Sequence, residues 1–230
     1  MKLTIACNPM FPPEDTKLHP LVLYCVGTIQ DGDEPVGMIT GIWFRMGLWE
    51  DMPDEDQPWY FAPFMAVSAD TFVMADFIAL SGPEIRRDVS RSDKLDIFFI
   101  DCVWVEPAHR GRGIAPDCLA ALVASCRDSV GVFTCDAWVI RMAPDGVLEI
   151  ASPFARDCDK SEYYNEKARA ERALCRAGFA HIPEDFQHTW AADPTAEPVR
   201  PGVDRVEVEF VQGPAAPIHP LRWHSKRKTT

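Results

Sequence analysis

The stretch of this chain best suited to hold a ligand is Arg110-Gly111-Arg112-Gly113-Ile114-Ala115. Glycines at 111 and 113 let the backbone fold tightly and bring its N–H groups close to a bound group. A helix opening at Ile114 adds unpaired N–H donors and the positive end of its dipole. Such a nest suits a pyrophosphate and needs few side-chain charges. Arg110 and Arg112 bring local positive charge to a chain whose formal net charge is −12. Pro116 is tolerated in the first helical turn but removes one donor. The other common phosphate-loop patterns, GxxxxGK[ST] and GxGxxG, are absent from the sequence.

Groups that could move a proton are fewer. Asp101 interrupts the apolar run Phe98-Phe99-Ile100 and Cys102-Val103-Trp104. A carboxylate there faces partial desolvation, which raises its pKa toward the range useful for a general base; the competing reading is a strand edge facing water or a structural hydrogen bond. His109 adjoins the glycine turn and reads as a solvent-facing turn residue. The acidic run 50–56 reads as a solvated loop, with the capacity to draw in a polyamine or a lysine. Trp59, Tyr60 and Phe61 read as core packing, the alternative being a pocket wall.

These residues need elements to position them. Leu95 to Val105 predicts a central strand buried on both faces and ended by Pro107. Ile114 to Arg127 predicts a helix, with Leu119, Leu122, Val123 and Cys126 on one stripe. Upstream, Leu21 to Ile29 and Val36 to Met46 predict a hairpin about the turn at 31–35. Asp70 is placed to cap a helix reaching Leu80, with a charged loop from Arg86 to Asp93. Downstream, Val132 to Ile140 predicts a strand, Ser161 to Arg176 a second helix stopped by Gly178, and Val203 to Val211 a late strand. No internal repeat is visible, and the tail 212–230 is expected to be loose.

At 230 residues the chain suits a single domain, 1–230, with 47–94 as an insertion. Its 47% hydrophobic and 25% charged residues are those of a globular protein. The acidic charge disfavours nucleic acid as a partner. No apolar run is long enough to span a bilayer, and the N-terminus has no long apolar segment of the secretory kind. The eight cysteines form no CxxC pair and have no histidines at zinc-ligand spacing, so no metal site is expected. Cys102, Cys118 and Cys135 read as small hydrophobes, and the expected compartment is a reducing cytoplasm.

The run Val105 to Ala115 resembles motif A of the GNAT acetyltransferases, Q/R-x-x-G-x-G/A. Arg110, Gly113 and Ala115 stand at its positions, and Val105-x-Pro107 matches the strand end before it. The helix at 161–176 resembles motif B, with Ala170 in place and Gly178-Phe179 at the helix exit; the hairpin at 21–46 resembles the family's preceding hairpin. The resemblance covers about 95–180, with weaker support from 21–46. It implies an α/β fold with a GNAT-like mixed central β-sheet flanked by helices, the insertion lying between the hairpin and the central strand.

For function the resemblance implies an acyl-CoA-dependent N-acyltransferase. An acetyl group would pass from acetyl-CoA to an amine-bearing acceptor, small molecule or protein, by direct attack in a ternary complex. Backbone groups near Trp104 and Val105, on a bulged strand, would hold the acetyl carbonyl. Arg110 and the amides of Gly111, Arg112, Gly113, Ile114 and Ala115 would hold the pyrophosphate; the candidate base remains Asp101, on the desolvation argument above rather than on the resemblance. A homodimer is compatible with this reading. The sequence departs from the family at Lys167, where Asn is common, and at Leu174, where a Tyr often protonates the departing thiolate. Tyr163 lies eleven residues earlier on the helix, about 16 Å along its axis. A non-catalytic acyl-CoA sensor or a partner-binding module on the same fold is the alternative.

Overall fold

Alternating apolar residues near the N-terminus build β1 (Lys2–Pro9), which the sequence analysis did not anticipate, followed by the hairpin β2 (Val22–Asp31) and β3 (Glu34–Phe44). The computed structural model describes residues 1–67, 92–143, 148–155, 158–181, 189–196 and 205–211. The hairpin closes on two residues, Gly32 and Asp33, with Gly32 at φ 66°, a conformation that favours glycine. Two short helices of the insertion follow, α1 (Met46–Glu50) and α2 (Ala62–Val67). The helix expected at 70–80, the loop at 86–93 and the tail 212–230 lie outside the described residues.

Then come β4 (Asp96–Val105), a single 3₁₀ turn at Pro107–His109, α3 (Ile114–Ser125) and β5 (Val130–Asp136). The strand expected to run to Ile140 stops at Asp136. Residues 137–139 cross to a separate small hairpin of β6 (Ile140–Met142) and β7 (Leu148–Ile150). The chain continues through α4 (Lys160–Arg176), β8 (Ala180–His181), β9 (Thr189–Ala192) and β10 (Glu207–Val211). α4 starts where the Asp159 carboxylate accepts from the amides of Ser161 and Glu162, and it ends at Gly178, φ 93°.

The eight-stranded sheet runs β10-β1-β2-β3-β4-β5-β9-β8. Its pairs are antiparallel except β1–β10 and β4–β5, which are parallel, so the fold is α/β with a mixed central sheet. Each face buries its own core. Phe98, Ile100, Leu119, Leu122, Phe133 and Leu174 share the core that includes α3 and α4. Ile42, Phe44, Met46, Phe64, Ile97 and Phe99 form the other, to which the insertion contributes Phe64. Trp59, Tyr60 and Phe61 join one another and Trp49 in edge-on ring contacts, with Tyr60 and Phe61 packed on that second core.

Cys7 and Cys25 are direct partners in the β1–β2 register, with Cα atoms 4.1 Å apart, and form a disulfide. Here the structure departs from the expectation of reduced thiols throughout. The pairing depends on register, which a spacing of 18 residues does not reveal. Cys102, Cys118, Cys126 and Cys135 are free and buried. Burial raises the thiol pKa of each, to about 12 for Cys118 and Cys126. No helix among the described residues is long and apolar enough to cross a membrane, and they contain no cluster of metal-ligating side chains.

Candidate functional site at the split between β4 and β5

β4 and β5 pair only from Asp96–Val130 to Ile100–Cys135. Beyond that point β4 continues to Val105 while β5 ends, and the two chains separate. A bulge lies at the separation. Ile100 pairs with Gly41 and Cys102 with Thr40, which leaves Asp101 as the extra residue on β4. A sheet that opens between two parallel strands exposes backbone edges at its centre, where a ligand can pair with them.

The opening leads into a cleft of about 590 Å³, lined among others by Val103, Trp104, Val105, Arg110, Gly111, Gly113, Ile114 and Ala115. Gly111 and Gly113 have φ of 80° and 83°, so the two residues chosen for their freedom adopt left-handed geometry. Gly113 is the N-cap of α3, and the first amide to bond back into the helix is that of Asp117, to Gly113 O. The amides of Gly111, Arg112, Gly113, Ile114 and Ala115 donate to nothing among the described residues. They are free for an anion.

The two arginines of the turn behave differently. Arg110 lines the cleft, and its Nε donates to Val105 O at 2.8 Å, which fixes the guanidinium against the strand end. Arg112 is turned toward the β2–β3 hairpin. It donates to Asp31 at 2.7 Å and to His109 Nδ1 at 3.0 Å, and it is not among the cleft-lining residues. His109 reaches toward Glu34 at 3.6 Å and is mostly covered, with 15% of its side chain exposed, rather than solvent-facing.

On β4, the amide of Glu106 donates to Val36 O, and a Cβ on Gly37 would lie 2.5 Å from Trp104 O. By strand alternation the backbone groups of Trp104 and Glu106 face β3, and those of Val103 and Val105 face the opening. Val103 was not singled out from sequence; the bulge and the alternation identify it. Trp104 also lines the cleft, and its indole Nε1 is buried with no hydrogen-bond partner among the described residues. An orphan donor of this kind costs about 1–3 kcal/mol.

A second cavity of about 100 Å³ adjoins the cleft, sharing Val103, Ala115, Trp138, Ile140, Ala170 and Ala173 with it. Asp101, Asp136 and Leu174 line this inner end. Asp101 accepts from Thr40 Oγ1 at a long 3.4 Å. Burial pushes its carboxyl up to about 6; the Thr40 bond opposes the shift and the charge of Asp136 adds to it. Thr40 in turn shares a hydrogen bond with Tyr24, whose phenol burial also raises. Tyr163 is buried on α4 but lines neither cavity.

Sequence reading also passed over the cleft-facing side of α4, where Arg169, Arg172 and Arg176 line the cleft. On a helix surface such residues look like an ordinary solvated face.

No protein-family model matches the sequence, and no curated protein matches it significantly. Fold and site together define an α/β protein whose mixed sheet splits between two parallel strands and opens there into a cleft fringed by unpaired amides.

Proposed function

We propose that the chain is an acyl-CoA-dependent N-acyltransferase of the GNAT type, moving an acetyl group from acetyl-CoA to an amine. The observation that carries this reading is the coincidence of three things at one cleft: a split between parallel strands, the free first-turn amides of α3, and a partly buried carboxylate at the inner end. The bulge at Asp101 and the run Arg110-x-x-Gly113-x-Ala115 match the family pattern. The lining suits the donor. Amides meet a pyrophosphate, and apolar walls, the Trp104 side chain among them, meet an alkyl arm.

The chain's own groups then divide the work. Asp101 takes a proton from the acceptor ammonium, whose charge the neighbouring Asp136 also attracts. The freed nitrogen bonds to the thioester carbonyl carbon and the C–S bond breaks. The second proton leaving nitrogen ends on the departing sulfur through water, because Leu174 has none to give. Amides of Val103 and Val105 face the space where negative charge develops on the carbonyl oxygen. Positioning supplies the rest of the acceleration.

The test is turnover of acetyl-CoA against a panel of primary amines. Asp101→Asn should lower kcat by about 10²-fold at neutral pH while acetyl-CoA affinity stays within a few-fold. Acetyl-CoA binding with no turnover on any amine would instead favour the sensor reading, which Leu174 at the usual tyrosine position supports.

A further inference from the structure

Arg169, Arg172 and Arg176 follow one another at i, i+3 and i+7, a stripe on one face of α4 spanning about 10 Å of its axis. All three line the cleft and are exposed. None forms an ion pair or hydrogen bond among the described residues. The arrangement is costly in isolation. Arg172 and Arg176 are like charges at i, i+4, which repel on a helix, and no acid stands four residues from any of the three. The carboxylate on the same side of the cleft, Glu166, is already engaged by Arg141 at 2.9 and 3.1 Å. The helix dipole accounts for a cation in the last turn, and so for Arg176, but not for Arg169. In a chain of net charge −12, three unpaired guanidinium groups converging on one cleft mark a place for anionic charge.

The α3 turn meets an anion with backbone amides from one side of the cleft, and the stripe faces the same cleft from α4 with side-chain charge. Resting on the acyl-CoA reading, we propose that the α4 stripe is a second anion subsite. It takes the 3′-phosphate at the nucleotide end of the donor, so that the protein distinguishes coenzyme A from its 3′-dephospho form. Arg172, midway along the stripe, is the principal contact.

Calorimetric titration of the full chain with coenzyme A and with 3′-dephospho-coenzyme A, at fixed ionic strength, tests this. The wild type should bind coenzyme A at least tenfold more tightly than the dephospho form. Arg172→Glu should remove that preference and leave affinity for the dephospho form within about threefold. Arg172→Lys should keep part of it, since a point charge replaces the bidentate fork. The side chain is exposed, so the melting temperature should hold for Arg172→Lys and hold or rise slightly for Arg172→Glu, which pairs with Arg176 at i, i+4. Equal affinity of the wild type for the two nucleotides, or a preference that survives Arg172→Glu, overturns the subsite and leaves the acyl-CoA reading standing. Binding of neither nucleotide overturns both.

Discussion

β4 carries an aspartate at each end of its β5-facing stretch, and the two are treated in opposite ways. Asp96, where the strands are paired, accepts from the Trp43 indole and from the Gly47 amide, each at 2.8 Å. It ties α1 to the sheet. Asp101, where the strands part, has among the described residues only a long bond from Thr40, and it lines a cavity. Burial raises both carboxyls, but at Asp96 two good hydrogen bonds oppose the shift, whereas at Asp101 the pKa reaches about 6. The paired half also stacks Phe98 on Phe133 at 5.3 Å, while in the split half the buried Trp104 Nε1 has no partner among the described residues. Hydrogen bonds and packing are completed where the sheet is scaffold and left incomplete where it is open.

The largest effect should come from the paired half. Phe133→Ala removes a fully buried ring from the core and should cost about 3–5 kcal/mol in chemical denaturation. A cost below 1 kcal/mol would mean that this half of the sheet is not the rigid part.

The split half should respond in the other direction. A carboxyl raised by burial stabilises the fold fully below its unfolded pKa, near 4, and that contribution is lost as pH rises through about 6. Asp101→Asn removes the charged form, so it should stabilise the protein by about 1–3 kcal/mol at pH 8, with the gain fading toward pH 4. Destabilisation at pH 8 would place Asp101 with Asp96 among the structural aspartates and break the contrast.

Much of the scaffold was legible in the sequence because burial writes a period into it. The apolar run ending at Val105, the stripe of α3, the hairpin at 22–44 and α4 all follow from such patterns. The end of β5 was not legible. Ala137 and Val139 are as apolar as the strand before them and are buried, yet the chain there has left β4. Composition records burial, not which neighbour provides it. The glycine turn was visible through its residue types, and its left-handed geometry explains why those types are required. The partner of Arg112 and the orphan Trp104 indole were not, because both depend on segments far apart in sequence.

The smallest effect should lie at Leu174, buried at the inner end of the cleft beside Asp101. It acts by packing alone, so Leu174→Met should change stability by less than about 1.5 kcal/mol and leave kcat within a few-fold. The pH–rate profile should rise through the Asp101 limb near pH 6 and then show no fall near pH 10 from a tyrosine. An alkaline fall that disappears in Tyr163→Phe would put the acid on a side chain that lines neither cavity.

The most direct test of the central claim is a thermal melt with acetyl-CoA, comparing the wild type with Gly113→Asp. A ligand at 100 times its Kd stabilises the folded state by about 2.7 kcal/mol, which for a chain of this length is a rise of roughly 5 °C or more. The wild type should show that rise. Gly113→Asp should show none, because its carboxylate would stand among the free amides of the α3 turn. Gly113→Ala, with the backbone strain but without the charge, should keep part of the shift. Equal shifts in the wild type and Gly113→Asp, or no shift in the wild type, would contradict the phosphate role of the turn.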